Sequence, residues 1–223
     1  MATMYKTAIV TDTNSGLLPE EAEHLGIHLV PMPVIVDEES FFEYVSITQA
    51  DFFARLKGGA AVSTSQPSPG ALLSCWDALL ETYDNLVYIP MSSSLSGEYQ
   101  TAAMLAEDYD GRVHVADTHR ISVTQRQAAL DALHWVQQEK SAAEIKVYLE
   151  HDGRNSNIFI AVNTLELLKK SGRVTAAGAA LGSILSIKPV LRIQGGKLDA
   201  YRKVRGMRAA IQAMTEGLQA DLQ

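Results

Sequence analysis

Residues Leu86-Val87-Tyr88-Ile89-Pro90-Met91-Ser92-Ser93-Ser94-Leu95-Ser96-Gly97 pass from an apolar run into a cluster of hydroxyls closed by a glycine. A short apolar run bounded by such a cluster predicts a buried strand over Leu86–Pro90. Ser96–Glu107 then reads as a helix and Arg112–Ala116 as the next strand. Strand, hydroxyl loop, helix and strand in succession mark a unit of a parallel sheet covered on both faces.

The same rhythm extends towards both ends. Thr7–Thr11 predicts a strand that ends in the turn cluster Asp12-Thr13-Asn14-Ser15-Gly16. Pro19 opens a helix with acids in its first turn, and Gly26 closes it. Ile27–Val36 reads as one strand, which Pro31 and Pro33 push towards a sheet edge. Thr48-Gln49-Ala50-Asp51 opens a helix that ends at Gly58-Gly59. Ser63-Thr64-Ser65-Gln66-Pro67-Ser68 lies between a short strand and a helix over Pro69–Tyr83, where Leu72, Trp76, Leu79 and Tyr83 share a face. Val123–Gln138 and Ala142–His151 read as two further helices.

Near residue 152 the pattern changes. After a polar link come a strand (Ile158–Val162), helices over Leu165–Lys170 and Ala176–Leu185, and a strand over Pro189–Gln194. Gly195-Gly196 marks a hairpin turn into a strand over Lys197–Arg202, and Met207–Leu222 reads as the final helix. The fold class is therefore α/β. A parallel-sheet domain over residues 1–151 carries the hydroxyl loops, and a smaller α+β domain follows over residues 152–223.

Composition narrows the function. With 47% apolar and 20% charged residues among 223, the chain is of ordinary globular make-up. A net charge of −7 opposes non-specific binding to nucleic acid or to an anionic membrane. The single cysteine, Cys75, fits a reducing compartment and sits where a small core hydrophobe is wanted. No leader segment is read at the start and no apolar stretch approaches the ~20 residues of a bilayer span, so the expected location is cytoplasmic.

Both hydroxyl loops are expected at the carboxyl ends of sheet strands, where α/β proteins place ligands. Backbone N–H groups and hydroxyls that converge at a helix start suit an anion, although Ser and Thr there are also ordinary N-caps. Asp12 at a strand end leaves open a rival reading, a hydrolase or phosphatase-like enzyme using Asp12 with the Ser/Thr loops. Against it, Asn14 stands where a second acid would be needed, and no Gly-x-Ser-x-Gly elbow or phosphate-loop pattern is present. The six histidines show no metal-ligand spacing, so neither a metal nor another cofactor is expected. Arg202, Lys203, Arg205 and Arg208 form one dense basic cluster, either a solvated helix start or a docking surface.

Thr64-Ser65-Gln66-Pro67-Ser68 and Ser93-Ser94-Leu95-Ser96-Gly97 resemble the signature loops of the DegV family of fatty-acid-binding proteins. The resemblance continues at Thr11-Asp12-Thr13, at Leu168–Val174, at Leu185–Leu191 and at Lys203-Val204-Arg205, in order along nearly the whole chain. It implies two domains that hold a long-chain fatty acid in a tunnel between them. It also implies a lipid-binding subunit without catalysis of its own, which presents the carboxyl group to an ATP-dependent fatty acid kinase for acyl-phosphate formation in phospholipid metabolism. The implied partners are the fatty acid, that kinase and, transiently, a membrane surface.

Carried over by position, Thr64 and Ser94 face the carboxylate, with Ser65, Ser93, Ser96 and Gly97 beside them. Arg173 lies near the tunnel mouth, and Arg202, Lys203 and Arg205 form a basic lip for partner or phosphate. Two departures stand out. Glu98 replaces the family's usual Thr, an acid whose charge would oppose a bound carboxylate unless it points away. The chain also stops about sixty residues before the resemblance would end, a span within ordinary domain sizes, so an incomplete second domain without the family's head-group His is expected.

Overall fold

The computed structural model describes residues 6–180 and 187–222. The chain forms two compact units, Met1–Arg154 and Asn155–Gln223.

In chain order the first unit contains β1 (Thr7–Asp12), α1 (Pro19–Leu25), β2 (Ile27–Val30), β3 (Pro33–Val36), β4 (Glu39–Phe42), α2 (Gln49–Lys57) and β5 (Val62–Thr64). It continues with α3 (Pro69–Leu80), β6 (Asn85–Ile89), α4 (Glu98–Ala106), β7 (Val113–Val115), α5 (Val123–Gln137) and α6 (Ala142–Asp152). A four-stranded parallel sheet has the order β2-β1-β6-β7. Its central strands are apolar along their length because both faces are covered. On one face Ile9, Val87 and Ile89 meet Ala128, Ala129 and Ala132 of α5, whose small side chains let that helix lie close. On the other, Val10, Leu86 and Tyr88 meet Leu72 and Trp76 of α3 and Ala102 of α4.

The expected single strand over Ile27–Val36 is two strands in two different sheets. The chain leaves the parallel sheet after Val30, and Pro31 has no N–H to continue the ladder. A second, antiparallel sheet of order β4-β3-β5 follows. Its β4 has no turn signal in the sequence, because the β3–β4 turn places Asp37 and Glu38 at φ 49° and 69° without the Gly or Asn that usually announces such a turn. This sheet also corrects the placement of one hydroxyl loop. Ser63 and Thr64 end β5, an edge strand paired to β3 and not a strand of the parallel sheet, and the loop leaves it at Ser65.

The second unit contains β8 (Ile158–Ala161), α7 (Glu166–Ser171), α8 (Ala176–Ala179), β9 (Ile187–Ile193), β10 (Asp199–Arg205) and α9 (Met207–Asp221). The strands form an antiparallel sheet of order β10-β9-β8. Helix α9 covers one face with small residues, as Ala210 and Ala213 pack on Val190 with Tyr201 and Val204. A Cβ at Gly217 would fall 2.7 Å from the Phe159 ring, so this turn of α9 requires glycine to stay close.

The expected strand Lys197–Arg202 begins later and runs further, to Arg205. Arg202, Lys203 and Arg205 are therefore strand residues and not a helix start; only Arg208 belongs to the first turn of α9. Of the helix expected over Ala176–Leu185, Ala176–Ala179 is helical, and the part after residue 180 lies outside the described residues, as do Leu185 and Ser186 of the family-like segment. Among the described residues, no helix is long and apolar enough to cross a membrane.

Candidate functional site

The site starts at the carboxyl ends of β1 and β6. Thr11 donates to Ile89 O at 2.7 Å, and Gln125 of α5 donates to both Thr11 Oγ1 (3.0 Å) and Ile89 O (3.2 Å). This pins the strand ends together from beneath. Asp12 is fully buried and accepts two backbone N–H groups, Asn14 on Oδ1 and Met91 on Oδ2, each at 2.7 Å. Burial raises its carboxyl to about 6, against the lowering effect of those two N–H donors. Asp12 is thus a brace between the turn after β1 and the start of the hydroxyl loop after β6. A catalytic carboxylate must reach the atom it serves, and both Asp12 oxygens are already engaged.

The loop Ser92–Gly97 is shaped by its own backbone. Ser92 N donates to Arg120 O at 2.8 Å, and Ser92 O accepts Leu95 N (2.9 Å) and Ser96 N (3.2 Å), which curls the chain over. Ser94 N donates to Ser92 Oγ at 3.2 Å, and Ser93 N to Asp117 Oδ1 at the same distance. Asp117 also accepts His119 N at 3.2 Å, so the segment after β7 supports the loop from the side. Arg120, buried, fixes that segment through Asp152 Oδ2 (2.8 Å) and Asp152 O (3.0 Å).

Two of the hydroxyls are committed to helix starts. Ser96 Oγ accepts Glu98 N at 3.1 Å at the start of α4, and Ser68 Oγ accepts Ala71 N at 3.2 Å as the N-cap of α3. Thr64 and Ser65 are exposed, while Ser93 and Ser94 are half-buried. The side chain of Gln66 brings the two loops together: its Nε2 donates to Thr101 of α4 at 2.9 Å. Its Oε1 lies 3.1 Å from where a Cβ on Gly97 would stand, so Gly97 leaves the space that the Gln66 amide uses. Gln66 and Gln125 were not singled out as site residues by their local sequence. Gln66 stood inside the quoted loop pattern, whereas Gln125 had no local signal.

Glu98 follows Gly97 directly and is 0% exposed. The Tyr88 hydroxyl donates to its Oε1. Burial, then the nearby Asp12 charge, raises the Glu98 carboxyl to about 8. The acid beside the loop thus points into the core and is largely uncharged at neutral pH, which removes most of the repulsion expected from the sequence.

In the second unit, Arg202 pairs with Glu216 of α9 and stands 5.2 Å from the Tyr201 ring centroid. Lys203 and Arg205 are exposed and, at a spacing of two, share the opposite face of β10. Arg173 follows α7 and donates to Ser171 O. Among the described residues, no group of three His, Cys, Asp or Glu is placed to hold a metal. Cys75 lies on α3, half-buried against the core, and burial pushes its thiol up.

The model of the DegV family, a family of uncharacterised proteins, matches residues 6–223. A DegV domain-containing protein of Deinococcus radiodurans is 34% identical over 210 residues, covering 94% of this chain and 75% of its own. One of Staphylococcus aureus is 30% identical over 209 residues, with the same coverage. Among solved structures, a DegV family protein from Thermus thermophilus described for its fatty acid binding superposes with a TM-score of 0.88 at 31% identity, covering 97% of this chain and 78% of that one. DegV of Bacillus subtilis, described as a fatty acid binding protein, gives 0.84 at 28% identity, covering 97% and 78%.

Proposed function

The chain belongs to the DegV family, and we propose that it binds a long-chain fatty acid with the carboxylate at the loops Ser63–Ser68 and Ser92–Gly97. The observation that carries this reading is Gln66 of the first hydroxyl loop lying against Gly97 of the second while it holds Thr101 of α4, on a fold shared over 97% of its length with a DegV protein described as binding fatty acid. A carboxylate offers about four lone-pair sites, and Thr64, Ser65, Ser93 and Ser94 supply hydroxyl donors for them. The acyl tail supplies the affinity, since burying about 16 methylenes at ~0.8 kcal/mol each gives about 12 kcal/mol of gross driving force. The loops decide which end of the molecule is held. An interdomain tunnel for the tail is the arrangement that the family resemblance suggests.

In this reading the protein is a cytoplasmic carrier subunit without chemistry of its own. It presents the carboxylate to an ATP-dependent kinase that makes the acyl phosphate. Arg173, Lys203 and Arg205 would meet that partner or the phosphate, whereas Arg202 contributes less because Glu216 already neutralises it. The alternative, hydrolysis using Asp12, loses ground because Asp12 is buried and braced on both oxygens.

Incubating the purified chain with fatty acid, ATP and hydroxylamine tests the division of labour. No acyl hydroxamate is expected from the chain alone. Hydroxamate formed without added kinase, or turnover of a phosphoester or acyl ester, would place the chemistry in this chain.

A further inference from the structure

Glu98 is the first residue of α4, one position after the hydroxyl loop, and it is fully buried with an asymmetric set of partners. Oε1 accepts the Tyr88 hydroxyl from β6, while Oε2 has no hydrogen-bond partner among the described residues. The titratable groups around this cluster are Asp12 at the end of β1, Tyr88 on β6 and, beyond Tyr88, Cys75 on α3. Among the described residues, none of these groups is a cation and no ion pair involves Glu98.

Two buried carboxyls that feel one another, with no cation between them, do not both ionise readily. Asp12 is the better placed to carry the charge, because two backbone N–H groups solvate it. Glu98 has a single neutral donor and one bare oxygen, so the proton resides there. The amino end of α4 favours a negative charge at Glu98, but it does not supply the hydrogen bond that a buried carboxylate oxygen requires.

We propose that a proton held on Glu98 positions the Ser92–Gly97 loop, so that an acidic ligand binds the protonated form better and takes up part of a proton as it binds. Losing the proton leaves a bare charge facing Asp12. Moving the first turn of α4 relieves it, and that turn is fastened to the loop through Ser96 Oγ and Glu98 N. A ligand carboxylate on the loop adds a third acid close to the pair, which favours the proton further. Glu98 acts through the loop and is a positioning residue. The part about the ligand rests on the fatty-acid reading above; the proton itself does not.

The ligand-free protein gives the first test, as the amide resonances of Ser96, Gly97 and Tyr99 followed by NMR over roughly pH 6–10. They should titrate together with a midpoint near 8, and the titration should vanish in Glu98→Gln. Amides that stay still in the wild type, or titrate identically in Glu98→Gln, would overturn the proposal. Should Glu98→Gln fail to fold, Tyr88→Phe decides instead. It removes a bond that lowers the Glu98 pKa, so the midpoint must move upward; a midpoint that stays or falls contradicts the assignment.

The second test compares palmitate affinity of wild type and Glu98→Gln across the same range, which cancels the ligand's own ionisation. Wild-type affinity should fall relative to the variant by up to tenfold per pH unit above about 8. A constant ratio would sink the coupling between proton and ligand. Absence of palmitate binding in both proteins at every pH would instead remove the fatty-acid reading and with it the coupling, leaving the NMR titration to judge the proton.

Discussion

Changing Thr64 and Ser94 together to alanine is expected to weaken fatty-acid binding roughly a hundredfold. Hydrogen bonds to a charged group are each worth about 1.5–3 kcal/mol, and 1.4 kcal/mol is a factor of ten in affinity. Thr64 is exposed at the end of the edge strand β5, and alanine at position 94 keeps the backbone N–H that donates to Ser92 Oγ. Some affinity should remain, because the acyl chain is unaffected and supplies most of the driving force. Ser96→Ala provides the contrast. Its hydroxyl receives Glu98 N just before α4, so losing that hydrogen bond should cost about 1 kcal/mol of stability. Isothermal titration with palmitate, set beside thermal unfolding, separates the two. Unchanged affinity in the double variant would take the carboxylate away from these loops.

Trp76→Ala should destabilise the first unit by about 3–5 kcal/mol, the usual cost of truncating a large buried aromatic. Trp76 is completely buried between α3 and the parallel sheet, edge-to-face with Tyr88 at 5.7 Å and Tyr109 at 5.6 Å. Its loss opens a cavity directly beneath Tyr88, the residue that holds Glu98. Typical domains have only 5–15 kcal/mol in hand, so urea unfolding should show a large drop in midpoint. A second effect follows from the position: loosening Tyr88 should slacken the start of α4. A loss below about 1 kcal/mol would mean that the core does not rest on Trp76 in the way its burial indicates.

The parallel sheet was legible because burial on both faces leaves a mark in the chain itself. Thr7-Ala8-Ile9-Val10 and Leu86-Val87-Tyr88-Ile89 are apolar runs that no half-exposed strand would need. The antiparallel sheet was not legible. Val62–Thr64 is three residues long, and the turn at Asp37-Glu38 adopts positive φ with residues that rarely signal it. Nothing local distinguishes a strand that continues past Pro31 from a chain that moves to another sheet.

The site divided in the same way. Runs of hydroxyls are visible in a sequence, so both loops could be read from it as candidates. Their braces were not, because a hydrogen bond between Gln66 and Thr101, 35 positions apart, or between Gln125 and Thr11, 114 apart, has no local signature. Glu98 shows the limit most clearly. The sequence placed an acid beside the loop, but only the packing of α4 on β6 turned that acid inward onto Tyr88.

The central claim, that these loops hold a fatty-acid carboxylate, is tested most directly by denaturing the purified full chain and analysing the extract by lipid mass spectrometry. The account predicts a long-chain fatty acid in near-stoichiometric amount in the wild type, much reduced in the Thr64→Ala/Ser94→Ala protein. An extract empty of fatty acid from a folded wild-type protein that also takes up none when it is offered would contradict it.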